Sequence, residues 1–332
     1  MFKQFKKIDT TTLKKYSDRY KEILGVKGLF NVSAIDLDHF YRKLIRHLDK
    51  ESIKTVNRIL ERVMIYRGIS LPANITPEQL KPEYIPAVKF NKEEQRIIYR
   101  LLSEFETSVK QLSEGLFQYQ NYKLPINHFE VNVFWHQCSV PMLKNKKKIK
   151  NANIIDVGAF VGDSAIVLSR YTDHNVYAFE PVQSNYNLML KTLTLNPELK
   201  NIKPFNVALG KDNSVSNICF AESSSSFAFD LTNKHEEVTV LTLDDFVEQN
   251  HLQIGLIKVD IEGFEQSFLQ GAVRTIKNQR PSLIISIYHN ADDFFKIKPM
   301  IESWNLGYKF RISKPVDGQI LYETVLLAET DK

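Results

Sequence analysis

The sequence contains no apolar run of about eighteen residues, the length a membrane-crossing helix needs, so no membrane span is expected. Its start, "MFKQFKKIDTTTLKKY", is basic but lacks the apolar stretch of a secretory signal. Cysteine is scarce: Cys138 and Cys219 are the only two, and nothing suggests that they pair. A reducing compartment, the cytoplasm, is the expectation. There is no low-complexity tract, no Cys/His cluster of the zinc kind, no Gly-x-Ser-x-Gly elbow and no Walker loop. Those absences set aside a disordered chain, a zinc module, an α/β-hydrolase and a P-loop nucleotidase. What remains is a folded chain of 332 residues, 43% hydrophobic and a quarter charged, long enough for one large core or two modest ones.

The net charge of +5 hides an asymmetry. Residues 1–150 carry 28 Lys/Arg against 16 Asp/Glu, and the remainder carries 16 against 23. A basic half beside an acidic half suits an anionic partner, but solvated helix faces account for it equally simply. The run "KNKKKIK", 144–150, lacks the interleaved aromatics of a single-strand binder and reads as a solvated linker, so no nucleic-acid partner is expected.

The chain changes rhythm along its length. Residues 1–120 read as helical. Leu37, Phe40, Leu44, Ile45 and Leu48 fall at helical spacing, and Ile53, Val56, Leu60, Val63 and Met64 repeat it before a stop at Gly68. After the connector "SLPANITPEQLKPEYIP", a third helix opens at Asn91 with Glu94 in the capping-box position. Its face is Ile98, Leu101, Leu102, Phe105, Val109 and Leu112. These stripes suit core packing, a homodimer surface or substrate recognition. Residues 121–150 read as a basic connector into the next region. From 153 onward short β-rich runs alternate with helix-length segments: "NIIDVG", "NVYAFE", "IKPFNVAL", "GLIKVDI" and "PSLIISIYH". That alternation predicts an α/β fold with a parallel, Rossmann-like sheet. "YKFRIS" and "ETVLLAE" flank a connector containing Asp317-Gly318, so the sheet should end in an antiparallel hairpin, seven strands in all.

The stretch "NIIDVGAFVGDSA", 153–165, is a strand emptying into a glycine turn and a helix start. In a doubly wound sheet a ligand sits at such strand ends. A dinucleotide turn needs a second glycine where Phe160 stands, which tilts the reading away from NAD. Asp156 either meets that ligand or bonds loop amides. Asp163 either touches ligand or caps the next helix. Glu180, closing the second strand in "FEP", can accept hydrogen bonds from both hydroxyls of an adenosine ribose. "LIKVDIEGFE", 256–265, ends a buried strand in Asp260, with Glu262 two residues on; unpaired burial of such acids is costly and is tolerated where a strand end faces a ligand crevice. Glu265 has a simpler account, complementing the dipole of the helix it opens.

Together "DVGAFVGDS", "FEP", "TLDDF" of 242–246 and "IKVDIEGFE" resemble, in order and spacing, the FkbM family of S-adenosylmethionine-dependent methyltransferases. The resemblance covers residues ~150–330. It implies a class I methyltransferase domain over 151–332 that binds S-adenosyl-L-methionine and O-methylates a hydroxyl, in this family often of a saccharide, glycoconjugate or secondary metabolite. It also implies that Asp156, Gly158, Ala159, Phe160, Gly162, Asp163 and Ser164 line the methionine end of the cofactor. Glu180 and Pro181 would lie at its ribose, Val207, Ala208 and Leu209 near its adenine, and Asp260 beside it.

Methyl transfer to a hydroxyl is an in-line displacement helped by a proton acceptor. Asp260, Glu262 and His289 in "SIYHNADDF" are the candidates, with His289 equally readable as a helix cap. His128, in "LPINHFEVNVF", precedes the sheet and either covers the cofactor or packs a loop. Asp260 and Glu262, helped by Asp244 or Asp245, would make an oxygen-rich magnesium-type site, but spacing cannot show convergence, and no metal is assigned. "FAESSSSFAFD", 220–230, reads as a lid over the pocket. A catalytically silent binding module and an NAD-linked oxidoreductase are the competing readings.

Overall fold

The structure, a computed structural model, describes residues 34–66, 91–219, 235–317 and 321–331. Gly68, the 70–86 connector, the 220–230 segment, Gly318 and the side chains of Val63, Met64 and Leu102 lie outside the described residues. The first two amphipathic stripes form α1 (Ala34–Ile45) and α2 (Lys50–Tyr66). Leu44, Leu48, Val56, Ile59 and Leu60 enter the same apolar core as the sheet strands, with Leu37, Phe40, Ile45 and Ile53 packed against it. These faces pack within the chain against the sheet core.

The third helix, α3 (Lys92–Arg100), opens on the expected capping box: Asn91 accepts from the amides of Glu93 and Glu94, and Glu94 reaches back to the Asn91 amide. The same carboxylate receives Arg58 Nη1 at 2.8 Å and Arg62 Nη2 at 2.7 Å, tying α2 to α3. Burial opposes the charge on Glu94, yet Arg62 and the Asn91 amide outweigh it and hold its pKa below the usual carboxylate value. Helical winding ends at Ser108, earlier than the sequence suggests. Three antiparallel strands follow: β1 (Lys110–Ser113), β2 (Leu116–Tyr119) and β3 (Tyr122–Leu124). Gly115, at φ 66°, makes the tight turn between the first two. Leu112 therefore sits on a strand, 51% exposed, rather than on the helix face, and the meander runs across the expected boundary at 120. The lysine run is not a linker but the short helix α4 (Lys146–Lys150), with Lys146 Nζ on the Pro141 carbonyl and Lys148 Nζ on those of Gln279 and Arg280.

The sheet region then runs β4 (Asn153–Val157), α5 (Asp163–Leu168), β5 (Val176–Phe179), α6 (Gln183–Leu195), β6 (Ile202–Phe205), β7 (Ala208–Leu209), β8 (Ser214–Cys219), β9 (His235–Leu241) and α7 (Leu243–Gln249). It continues through β10 (Ile254–Val259), α8 (Glu265–Gln270), α9 (Val273–Gln279), β11 (Ser282–Ser286), α10 (Ala291–Ser303), β12 (Tyr308–Ser313) and β13 (Val325–Thr330). Seven strands pair in the order β12-β13-β11-β10-β4-β5-β6, with β13 running against all the others. The terminal pair is antiparallel as expected, but it folds back so that the last strand slots between β11 and β12. Strand β7 does not extend β6; it pairs with β9, and β9 with β8, in a separate three-stranded sheet.

Strand pleating explains why the central runs are continuously apolar. Ile155, Val157, Ile257, Val259, Leu283 and Ile285 face one core with α1, α2 and α10, while Ile154, Leu256, Ile284 and Leu327 face a second core with α5 and the 119–143 segment. The edge strand β12 is blunted by α2, whose Ser52 hydroxyl accepts the Ile312 amide at 2.9 Å. No helix among the described residues is long and apolar enough to cross a membrane. The chain leaves β4 toward β5 on one side and meets β10 on the other, so the switch point lies between β4 and β10. Replacing Leu44 by Ala should cost about 2–5 kcal/mol in urea unfolding, and Leu112→Ala less than about 0.5. Equal losses would show that α1 is not docked on the sheet.

Candidate active site

Two polar residues stand in register inside the central pair, on otherwise apolar strands: Asp156 on β4 opposite Lys258 on β10. Lys258 Nζ lies 3.1 Å from Asp156 Oδ1 and donates to the Gly158 carbonyl at 2.8 Å. The other oxygen of Asp156 accepts from Ser164 Oγ at 2.7 Å. Burial opposes the charge of Lys258, but Asp156 and Asp260 overcome it and raise its pKa. Asp156 is fully buried, Ser164 2% exposed and Ala159 fully buried. All three lie beneath the turn, with Asp156 joining Ser164 to Lys258.

The turn itself is held open by backbone geometry. Gly158 takes φ 77° and Gly162 φ 83°. A Cβ on Gly158 would lie 1.9 Å from the Asp260 carbonyl oxygen, and one on Gly162 would lie 2.9 Å from Cγ of Met189 on α6. The loops after β4 and β10 are therefore in direct contact. Phe160 adopts φ 45°, a left-handed conformation that glycine prefers, and its amide donates to Glu180 Oε2 at 3.0 Å. The imidazole of His128 stacks edge-on against the Phe160 ring at 4.9 Å, so the 126–130 segment covers the turn. Glu180 Oε1 accepts from the Val182 amide at 3.0 Å and from Asn185 Nδ2 at 3.3 Å. Both lone pairs of Oε1 are thus engaged, and Oε2 keeps one for a ligand hydroxyl. Burial pushes the Glu180 carboxyl up to about 7. Asn206 clamps the "FEP" corner from outside, donating to the carbonyls of Glu180 and Pro181. Val207, Ala208 and Leu209 do not end the third strand: β6 stops at Phe205, and Leu209 is a core residue of the second sheet.

Asp163 is buried at the start of α5, bonding the Ser164 amide, and burial lifts its carboxyl to about 7. Beside it, His128 Nε2 stands 3.1 Å from Glu130 Oε1. Burial works against a charge on His128, but Glu130 prevails and raises its pKa to about 9.

Beyond β10 lies a second cluster. His289 Nε2 is 3.4 Å from Asp260 Oδ1 and 3.6 Å from Glu262 Oε2, and its Nδ1 is 3.0 Å from Glu265 Oε1. Burial opposes protonation of His289, yet the three carboxylates lift it to about 10. Glu265 is fully buried and accepts the amides of Ile261 and Gly263, which fixes the loop that carries Asp260 and Glu262. Glu262 sits at φ 57° with its side chain 74% exposed. Tyr288 OH bridges Asp260 Oδ1 at 3.3 Å and Glu323 Oε1 at 3.4 Å, and Asn132 donates to Glu323 at 2.6 Å. Burial pushes Asp260, Glu262 and Glu323 upward in pKa, each reinforced by neighbouring carboxylates. Asp244 and Asp245 are elsewhere: the first caps α9 through the amides of Arg274 and Thr275, the second pairs with Arg274 and Asn213.

Residues 156–310 match the methyltransferase FkbM domain family. Over these residues the chain is similar to that methyltransferase domain family. Over 187 residues it is 23% identical to "Methyltransferase 1" of Beauveria bassiana (strain ARSEF 2860), covering 49% of this chain and 74% of that protein. A crystal structure of methyltransferase FkbM from Methylobacillus flagellatus KT superposes with a TM-score of 0.53 at 18% identity, over 88% of this chain. This chain spans 58% of the length of that one. The expected class I methyltransferase fold is the one found.

The glycine turn is joined to Glu180 through the Phe160 amide and to the loop of Asp260 through the close approach of Gly158 to the Asp260 carbonyl. The sequence reading passed over Lys258, although a lysine in "GLIKVD" is conspicuous; it passed over Tyr288 too, and gave Glu265 only a surface role. Glu130, Asn132 and Glu323 lie outside the FkbM match and carry no local signal. The Glu180 carboxyl supplies a pH test. Its folded pKa of about 7 exceeds the ordinary 4.5, so the folded state favours the neutral form and loses stability as pH rises from 4.5 to 7. Glu180→Gln removes that loss: urea melts across this range should move in favour of the variant by about 3 kcal/mol relative to wild type. Parallel pH profiles would show that Glu180 is not strained in this way.

Proposed function

We propose that this chain is an S-adenosylmethionine-dependent methyltransferase that O-methylates a hydroxyl of a saccharide, glycoconjugate or related polyhydroxylated metabolite. The observation that carries the reading is the convergence of Glu180, the Gly158–Gly162 turn and Asp260 on one cleft at the sheet's switch point. Glu180 would take a ribose hydroxyl. The turn, with Phe160 in place of the second glycine, suits an adenosyl ligand better than a pyrophosphate. The acidic lining, Glu130, Asp163, Asp260, Glu262 and Glu323, complements a cofactor that carries a sulfonium and an ammonium group. Carboxylates also accept hydroxyl donors in pairs, which suits a polyol acceptor.

The cofactor supplies a methyl group on positively charged sulfur; the chain orients the acceptor, excludes water and takes a proton. Asp260 is the group placed to do that. Its side chain is 24% exposed, and burial raises its pKa, making it a better proton acceptor than an ordinary aspartate. Tyr288, bonded to the same oxygen, orients it.

The reading is tested by calorimetric titration of the full chain with S-adenosylhomocysteine. A single site is expected, and Glu180→Ala should raise Kd 10- to 100-fold, the equivalent of about 1.4–2.8 kcal/mol. Absence of binding would remove the reading. Binding without methyl gain on any member of a polyol panel, followed by mass spectrometry, would instead favour a silent binding module.

A further inference from the structure

We infer that His289, Asp260 and Glu262 form a divalent metal site beside the methyl-transfer cleft, of the kind that takes a first-row transition ion such as Mn²⁺ or Zn²⁺. The starting observation is an imidazole in an unusual position. His289 is 5% exposed, and its Nε2 has no hydrogen-bond partner although two carboxylate oxygens face it. Burying an unbonded ring nitrogen is costly, and native interiors rarely leave one so.

The spacing indicates what those atoms are for. Asp260 Oδ1 at 3.4 Å and Glu262 Oε2 at 3.6 Å are too far from Nε2 for good hydrogen bonds. Two ligands on one ion with bonds of about 2.0–2.2 Å stand roughly 3.0–3.5 Å apart, whether the geometry is octahedral or tetrahedral. The oxygens lie close to that separation. Asp260, Glu265 and His289 each bring a ligating atom to within 4.8 Å of the other two.

Glu265 completes the arrangement from behind. It is fully buried, fixed by two backbone amides, and its Oε1 lies 3.0 Å from Nδ1. Nδ1 also lacks a hydrogen-bond partner, but a carboxylate at that ion-pair distance favours the imidazole proton on Nδ1 and leaves the Nε2 lone pair toward Asp260 and Glu262, as a metal-bound histidine needs. Glu262 is held on its turn in left-handed backbone, a strain that a purely solvent-facing glutamate would have no reason to keep. One nitrogen with two carboxylate oxygens is a mixed donor set, suited to manganese or zinc better than to calcium. An ion at this position would draw in the acceptor's oxygen and lower the pKa of its hydroxyl. That last role rests on the methyl-transfer reading; the binding itself does not.

The experiment uses the full chain stripped with EDTA, titrated with Mn²⁺ by electron paramagnetic resonance and with Zn²⁺ by calorimetry. One saturable site per chain is expected. His289→Ala should abolish it, and Glu265→Gln should weaken it 10- to 100-fold through the ring orientation. Glu262→Gln, at an exposed side chain that does not bear on folding, should weaken it several-fold. Glu180→Ala should leave metal affinity unchanged while impairing the adenosyl ligand. Thermal melts of each variant in EDTA report whether it is folded. No saturable site in wild type, or equal affinity in folded His289→Ala and Glu262→Gln, overturns the proposal. S-adenosylhomocysteine titrated in EDTA separates this outcome from failure of the methyltransferase reading.

Discussion

Two opposite charges buried side by side in the middle of the sheet, Asp156 and Lys258, set the geometry of everything above them. They occupy register-paired positions on β4 and β10, each in a strand whose neighbours are fully apolar. Removing either charge would leave the other buried without a partner, which is the expensive way to break such a pair. Their remaining hydrogen-bonding capacity is directed upward. Lys258 holds the Gly158 carbonyl, and Asp156 holds Ser164 at the start of α5. Strand, turn and helix are thus fastened at one point. The two glycine conformations, and the contact that Gly158 makes with the Asp260 carbonyl, follow from that fastening.

The cleft above this pair carries more negative charge than its histidines offset. Glu130 raises the proton affinity of Asp163, Asp260, Glu262 and Glu323 while His128 holds its own carboxyl low, and the neighbouring carboxylates raise the proton affinity of His128 and His289. Such a constellation is poorly stable by itself; the fold tolerates it because the loops are pinned from below and by Glu265. A ligand that brings positive charge relieves it. Under the proposed function a cationic cofactor would do so at the turn, and in the inferred metal site a divalent ion would do so at His289. After transfer the sulfur is neutral, so the same field that favours the charged cofactor holds the spent one less tightly.

Much of the fold was legible because periodicity is local. The β-rich runs after 153 and the apolar stripes of α1 and α2 are one-dimensional signals, and each became the element its rhythm indicates. Asn91 and Glu94, three residues apart, specify their own capping box. The errors sit where a tertiary choice overrides pattern. Leu112 continues the spacing of α3, but a glycine turn at 115 draws that segment into a strand. Val207–Leu209 read as the tail of β6 because their sequence is continuous with it, whereas pairing to β9 is decided thirty residues away. At the site, Glu180 and Asp260 were visible as acids at strand ends. Asp156 and Ser164 were visible too, but whether they face a ligand or the interior depends on Lys258 across the strand pair.

Under the proposed function, the residues that no motif announces are the ones that would choose an acceptor. Glu130 and Asn132 come from the segment before the sheet, and Glu323 from the connection between β12 and β13; all three lie outside the FkbM match, and Asn132 and Glu323 meet beside Tyr288. A cofactor is constant across methyltransferases, so the residues that hold it can be written into a short continuous stretch. An acceptor is not, and the chain assigns it to segments remote from one another that are held together only by the finished fold. Asn132 bonds Glu323, Glu323 meets Tyr288, and Tyr288 meets Asp260, so a change in either outlying segment reaches Asp260 through two or three contacts without touching the turn or Glu180. Cofactor and acceptor recognition can then diverge independently, which is what a fold shared by many methyltransferases requires.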